Sequence, residues 1–207
     1  MNTEITLLRN DLTSEWLRHF LDADRVAWDI ETSGLEWRVG QIGTCQLHAP
    51  EAGTVVVQLG SARPVRLAEL LSEPSVRKIF HHAPFDLRWM IGHWNVKPAS
   101  IDCTKVASRL LNQNPDSGVH SLKHLLSKTL GIEIDKGQRL TDWLVSDLTA
   151  DQLAYAVADV TYLLPLLDTL KKDLANAGMI GLYQSCADFL PTRAALEVGG
   201  WPDIFGY

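Results

Sequence analysis

The chain has 207 residues, of which 46% are hydrophobic and 21% are charged, with a formal net charge of −6. These proportions are typical of one globular domain and argue against disordered or low-complexity classes. The acidic balance argues against a protein that grips long nucleic acid on a basic track, because phosphate neutralisation by Lys and Arg dominates such binding.

The sequence also points to a compartment. Apolar runs stay well short of the roughly 18 residues expected for a membrane span. The first residues, 1–4, lack the positive charge and apolar core of a signal peptide. Cys45, Cys103 and Cys186 have no paired spacing, which predicts reduced thiols. We therefore expect a cytoplasmic protein that makes no contact with a membrane.

The N-terminal half has the alternating patterns of strands joined by turns that contain Gly and Pro. The predicted strands are 5–8, 26–31, 43–48, 54–58 and 77–81, and the predicted helices are 14–21, 64–71 and 85–93. Pro64 falls in the first turn of its helix, where proline costs little. The strands over 26–58 are expected to form an antiparallel meander.

The C-terminal half is predicted to be helical. Its helices are expected to begin near Thr104, Val119 and Thr149. Gly131 is placed to end the second helix, and Thr149 with Gln152 has the spacing of a capping box. Pro165 is expected to kink or end the third helix. We therefore predict an α/β fold, a mixed sheet flanked by helices, in a single domain over residues 1–207.

Four carboxylates and a tyrosine stand in three short blocks of this chain. Asp29 and Glu31 lie two residues apart on a strand, so both project from one face. Asp86 forms the second block, and Tyr155 with Asp159 has helical spacing on one face. Alone, each block is typical of a turn, a cap or a surface pair. Together, on apolar elements, they predict a carboxylate pocket stabilised by cations, and an all-oxygen ligand set suits Mg²⁺ or Mn²⁺.

This set resembles the three exonuclease motifs of the DEDD superfamily, in the tyrosine subclass found in the ribonuclease D family. Ala154 occupies the position where the histidine subclass has His. The likeness covers about residues 24–170 and includes the stretch 134–143; Arg139 stands where relatives often have Gln, and His82 where many have Asn. The ending, 189–201, is similar to the stand-alone enzymes called nanoRNase C. The resemblance implies a ribonuclease H-like (DEDD exonuclease) fold with a helical C-terminal half and no appended helical nucleic-acid-binding domain.

The resemblance also implies an activity and a site. The expected reaction releases nucleoside 5′-monophosphates from the 3′ end of RNA, with short oligoribonucleotides as substrates. Two divalent cations, Mg²⁺ or Mn²⁺, are expected to bind Asp29, Glu31, Asp86 and Asp159. Tyr155 is expected to orient the attacking water. The expected substrate contacts are Thr32, Leu35 and His82, with Leu35 wedged between the last two bases.

Several alternatives stay open on the sequence. The motifs do not distinguish RNA from single-stranded DNA, so a 3′–5′ DNA exonuclease is the second reading. An inactive nucleic-acid-binding relative is disfavoured because all five motif residues are present. Leu35 could cap the core instead of contacting bases. Trp143 is predicted to pack in the core, and His120 with His124 to form a surface pair in spite of its metal-like spacing.

The last part of the chain predicts self-association. Residues 179–207 carry a large apolar and aromatic load for the end of a small acidic chain. Exposed patches of this kind mark interfaces, and closed symmetry is the usual form of soluble homo-oligomers. The resemblance to nanoRNase C implies an octameric ring. The alternative is that this tail docks on its own domain.

Overall fold

The computed structural model describes residues 5–134, 137 and 141–206. In these residues a six-stranded mixed sheet has the order β1-β4-β3-β2-β5-β6. The strands are β1 (Ile5–Arg9), β2 (Arg25–Thr32), β3 (Ile42–Ala49), β4 (Gly53–Gln58), β5 (Arg77–Phe80) and β6 (Ile101–Cys103). Strand β3 is antiparallel to β2 and β4, whereas the β1–β4, β2–β5 and β5–β6 pairs are parallel. The predicted meander and mixed sheet are confirmed.

Helices flank the sheet and make up most of the C-terminal half. They are α1 (Ser14–Leu21), α2 (Val65–Ser72), α3 (Ala83–Trp94), α4 (Thr104–Leu111), α5 (Leu122–Leu130), α6 (Ala150–Thr161), α7 (Leu163–Asn176) and α8 (Ile180–Val198). A 3₁₀ turn, Ser117–His120, precedes α5. Thr149 and Gln152 form the predicted capping box of α6, and Gly131 ends α5 in the left-handed conformation.

The structure differs from the sequence prediction at β6, at the end of α6, and in α7 and α8, which were not predicted as separate helices. Strand β6 was not predicted, because three residues are too few to show a period of two. Helix α6 ends at Thr161, so the break precedes Pro165. Pro165 instead lies in the first turn of α7, where its missing N–H has no intrahelical partner to lose.

The two faces of β2 bury different residues. Trp28 and Ile30 pack into the core formed with α1, α2 and α3. Ala27 packs on the opposite face, against α5 and α7. Asp29 and Glu31 share that opposite face by the alternation of the strand, and α6 covers it farther along, where Tyr155 packs with Val56 of β4. The strand therefore presents its carboxylates beneath α6.

The segment Ala150–Asn176, made of α6 and α7, is long and apolar enough to cross a membrane by length and composition. Charged and polar residues interrupt its apolar runs, so the sequence predicts no membrane span there. Half of its most apolar window is buried inside the protein. A buried core helix passes the same test, so one such segment is weak evidence of a membrane span.

Candidate active site

The first and third sequence blocks meet at the end of β2. One ligand oxygen from each of Asp29, Glu31 and Asp159 can be chosen so that all three lie within 4.8 Å of one another. Asp159 is 6% exposed on α6, directly across from the strand. Such a group of carboxylates is costly to hold without positive charge. The geometry therefore fits divalent cations bound by oxygen.

Asp86 joins the same pocket from the first turn of α3. Its side chain is 3% exposed. Burial, and then the charge of Asp29, raise the pKa of Asp86 well above its ordinary value, while backbone hydrogen bonds from Asp86 and Ile30 oppose the shift in part. In the protein without cations this carboxyl therefore holds a proton more strongly than an ordinary aspartate does.

Tyr155 lies one helical turn before Asp159 on α6. Burial raises the pKa of the Tyr155 phenol first, and the charges of Asp159, Glu31 and Asp29 and a hydrogen bond with Asp159 raise it further. The Tyr155 ring packs against Trp143, with ring centroids 5.8 Å apart. Trp143 is 1% exposed, which confirms its predicted place in the core. The phenol is held in place and keeps its proton at neutral pH.

One pocket of about 560 Å³ contains all eight predicted site residues. They are Asp29, Glu31, Thr32, Leu35, His82, Asp86, Tyr155 and Asp159. The lining also includes Ser33 and His81, which the sequence places beside the predicted contacts Thr32 and His82. Phe85, Lys105 and Thr141 line the pocket as well and were not predicted to contact substrate or metal. Their elements lie far apart in the chain, and only the packing of α3, α4 and α6 around the end of β2 brings them together. A lone Lys105 or Thr141 gives no local signal of such a position.

Leu35 lies at the rim of this pocket with 74% of its surface exposed, so the core-capping alternative is wrong. Its loop is anchored on both sides. The Gln41 backbone N–H donates to Ser33 Oγ at 2.9 Å, and the Ser33 backbone N–H donates to the Gln41 carbonyl at 2.9 Å. Arg88 of α3 donates to the Leu35 carbonyl at 3.2 Å. The exposed side chain is thus presented by a fixed backbone.

His82 lines the pocket near several positively charged side chains. Burial lowers the pKa of His82 to about 4, with further lowering by Lys105, Arg88 and Arg109. Its ring stacks on Phe85 with centroids 6.5 Å apart. His82 is therefore a neutral group at neutral pH, and the positive charge beside it belongs to the lysine and the arginines.

The predicted surface pair of histidines is wrong for one member. His120 is 1% exposed, with its ring nitrogens 2.7 Å from Ser108 Oγ and 3.0 Å from the Asn114 carbonyl. His124 is exposed, as predicted. The ring of His120 is thus part of the packing between α4 and the following loop.

The thiols lie as expected for reduced cysteines. Cys45 and Cys103 are buried, Cys186 is half-buried, and all three are free. Asp135, Lys136 and Arg139, which contributed to the sequence resemblance, lie outside the described residues.

Comparison with known proteins identifies the family of this chain. Residues 5–175 match a family model described as 3′–5′ exonuclease. Ribonuclease D of Haemophilus influenzae is 33% identical over 151 residues, which cover 73% of this chain and 37% of that protein. The chain thus spans little more than a third of the length of this relative.

Solved structures match over nearly the whole chain. NrnC of Brucella melitensis superposes with a TM-score of 0.90 at 34% identity and 98% coverage of both chains. The same protein bound to pGG matches with a TM-score of 0.90 at 33% identity and full coverage of both chains. Its form with bound Mg²⁺ matches with a TM-score of 0.88 at 33% identity and 98% coverage of both chains.

A more distant structure supports the fold alone. The catalytic core of RRP6 from Trypanosoma brucei has a TM-score of 0.80 at 23% identity, covering 92% of this chain and 52% of that one. The ribonuclease H-like fold predicted from the motifs is confirmed, as is the resemblance to nanoRNase C. The chain therefore belongs to the 3′–5′ exonuclease family, among proteins of the ribonuclease D and NrnC type.

Proposed function

We propose that this chain is a metal-dependent 3′–5′ exonuclease that hydrolyses short oligoribonucleotides to nucleoside 5′-monophosphates. The observation that carries the proposal is the meeting of Asp29, Glu31, Asp86 and Asp159 in one pocket with a protonated Tyr155. Four buried or half-buried carboxylates around one space suit a phosphate ester only when cations lie between them.

The residues present fit Mg²⁺ or Mn²⁺, since every candidate ligand is a carboxylate oxygen. When bound, a pair of such ions lowers the pKa of a coordinated water and offsets charge on the leaving oxygen. Asp29 would contact both ions, and Glu31 with Asp159 would hold the one beside the attacking water. Asp86 would hold the other, largely through water, because Mg²⁺ keeps part of its hydration shell.

Tyr155 would orient the attacking water. Its pKa is raised by burial and by three neighbouring carboxylates, so it is a poor base at neutral pH. A phenol that stays protonated can donate one hydrogen bond and accept another, which fixes the position of a water without taking its proton. Asp159, to which the phenol is hydrogen-bonded, would keep it in place.

Thr32, Leu35 and His82 would hold the substrate. An exposed leucine on an anchored loop can insert between the last two bases regardless of their sequence. Thr32 donates to the Gly34 carbonyl at 2.6 Å, which leaves its lone pairs to meet the terminal ribose. His82, held neutral, would pack on the substrate beside the positive charges of Lys105 and Arg88.

Short RNA is the proposed substrate for two reasons. The net charge of −6 provides no extended basic track for a long strand. The similar NrnC of Brucella melitensis has been solved bound to pGG, a short oligonucleotide. We also propose a single domain over residues 1–207, a cytoplasmic location and a homo-oligomer, octameric as the resemblance implies.

The decisive experiment offers labelled RNA and DNA, from dinucleotides to strands of about twenty-five nucleotides, with Mg²⁺, Mn²⁺ or EDTA. We expect metal-dependent release of nucleoside 5′-monophosphates from the 3′ end, fastest on short RNA. Faster hydrolysis of DNA would favour the alternative DNA exonuclease. Binding of RNA without hydrolysis in either metal would contradict the proposal and favour an inactive binding protein.

A further inference from the structure

Two buried polar side chains of β3 lie beneath the carboxylates of β2. Thr44 and Gln46 are both 0% exposed, and in the antiparallel register they pair with Glu31 and Asp29. Residues that pair directly across an antiparallel ladder project from the same face of the sheet. These two side chains therefore reach the carboxylates from the sheet side.

Their hydrogen bonds run in one direction. Thr44 Oγ1 donates to Gln46 Oε1 at 3.0 Å, and Gln46 Nε2 donates to Asp29 Oδ2 at 2.9 Å. A carboxylate can only accept, so the NH₂ group of the Gln46 side chain has to face Asp29. The hydroxyl of Thr44 satisfies the opposite end of the same amide.

We propose that Gln46 is a positioning residue that holds Asp29 ready for metal, with Thr44 fixing the orientation of the Gln46 amide. The inference rests on the proposed metal site and adds two residues to its support. The bond engages Asp29 Oδ2 from the sheet side, and Asp29 shares the pocket with Glu31 and Asp159.

A neutral donor suits this position better than the other common choices. Lys or Arg would neutralise Asp29 and compete with a cation for it. An aliphatic side chain would leave the carboxylate without this partner in a half-buried setting, where an unsatisfied charged oxygen is costly. An amide restrains Asp29 without adding a charge, so the negative charge of the carboxylate stays available to a metal.

The support is rigid because the sheet sets it. The pairing of β2 with β3 is regular from Ala27 to Glu31, and its irregularity falls between Glu31 and Thr32, beyond the supporting pair. On its other side Gln46 pairs with Val56 of β4, which lies in the small core under Tyr155. Gln46 thus has ordered neighbours on both flanking strands.

The test measures metal binding without nucleic acid. In Gln46→Leu we expect affinity for Mn²⁺, titrated by calorimetry, to fall about 10- to 100-fold, the usual effect of removing a partner of a metal ligand. The lost activity should return in part at high metal concentration. Thr44→Val should also lower the affinity for Mn²⁺, but by less. Thr44→Ser, which keeps the hydroxyl, should bind Mn²⁺ about as tightly as the wild type.

Gln58→Leu is the matched control. Gln58 is a buried glutamine on β4 whose amide donates to the Val145 carbonyl and not to a carboxylate. This control should lower the melting temperature but leave the affinity for Mn²⁺ unchanged. Thermal melts of all variants distinguish a loss of folding from a loss of affinity for Mn²⁺.

The outcomes distinguish this inference from the proposed function. Wild-type protein that neither binds Mn²⁺ nor hydrolyses RNA would overturn the proposed function itself. Wild-type binding together with equally tight binding by Gln46→Leu would overturn the positioning role alone. Where Gln46→Leu does not fold, the Thr44→Val and Thr44→Ser pair decides, and equal affinity in both variants would contradict the inference.

Discussion

At the residue scale the site depends on charges kept close together. Asp29 helps to raise the pKa of the buried Asp86, and the charges of Asp29, Glu31 and Asp159 help to raise that of Tyr155. The shift at Asp86 is unfavourable to the metal-free fold at neutral pH, because the unfolded chain gives up this proton more readily. The shift at Tyr155 carries no such cost at neutral pH, since the phenol is protonated in both states. Removing a carboxylate charge should therefore affect catalysis and metal-free stability in opposite directions.

Asp29→Asn should abolish hydrolysis and stabilise the metal-free protein. Removing the charge relieves its repulsion with Asp86, and one pKa unit of relief is worth about 1.4 kcal/mol. Hydrolysis assays with Mg²⁺ and urea denaturation in EDTA would measure both effects. The exposed Asp173→Asn is the control. Near-normal hydrolysis by Asp29→Asn with abundant metal would rule out its assignment as a ligand.

Tyr155→Phe should slow turnover about 100-fold, because the attacking water loses the group that holds it in position. Affinity for Mn²⁺ should stay nearly unchanged, because the phenol is assigned to the water and not to the ions. Single-turnover rates and calorimetric titration would measure the two quantities separately. A large loss of metal binding would instead make Tyr155 a ligand.

His82 should make the fold sensitive to acid. Its folded pKa of about 4 lies below the ordinary value of 6.5, so the unfolded chain binds the proton first. The stability that comes from keeping His82 neutral is fully present above about pH 6.5, and it is lost as pH falls toward 4. In His82→Asn the free energy of unfolding should therefore change less with pH between about 4 and 6.5. The exposed His124→Asn is the control, and an unchanged slope in His82→Asn would contradict the expectation.

At the element scale the loop between β2 and β3 positions a single exposed leucine. Its tip is tied to α3, where Arg88 donates to the Leu35 carbonyl and His93 lies 2.8 Å from the Trp37 carbonyl. The Trp37 ring also occupies the space that a Cβ at Gly92 would fill, at 2.5 Å. Such anchoring means that a change at Leu35 removes the side chain without moving the loop.

Leu35→Ala should impair hydrolysis of dinucleotides more than that of twenty-nucleotide strands. A dinucleotide has few other groups through which to be held, whereas a longer strand keeps additional contacts. Full burial of a leucine side chain is worth about 1.5–3 kcal/mol, so a loss of roughly 10-fold or more is expected on the short substrate. Val39→Ala, in the same loop and 84% exposed, is the control. Equal fractional losses on both lengths would count against a wedge.

At the scale of the whole molecule the end of the chain is only partly used by its own domain. Helix α8 contributes Leu190 and Ala194 to the core, and Phe205 contacts Phe189 with ring centroids 5.7 Å apart. Trp201 and Phe205 nevertheless remain 64% and 76% exposed. Docking on the chain's own domain thus explains α8 but leaves an apolar surface beyond it.

We expect light scattering to show a homo-oligomer at micromolar concentration, and a chain that ends after Gly200 to show a smaller species. The shortening removes the exposed aromatic residues but keeps α8, whose buried residues the fold requires. Val39→Ser, which changes an exposed apolar residue elsewhere, should leave the mass unchanged. A monomeric chain of residues 1–207 would contradict the proposed homo-oligomer.

The sequence by itself determined the strands of the meander, most helices and the residues of the three motifs. These features depend on alternation, helical spacing and caps, which are local properties of the chain. Only the tertiary structure decided that Leu35 is exposed, that His82 lies near several positively charged side chains, and that Gln46 donates a hydrogen bond to Asp29. Strand β6 and the pocket position of Lys105 also escaped prediction. The reason is physical: burial and charge environment are set by elements far apart in the sequence, and no local period records which of them will meet.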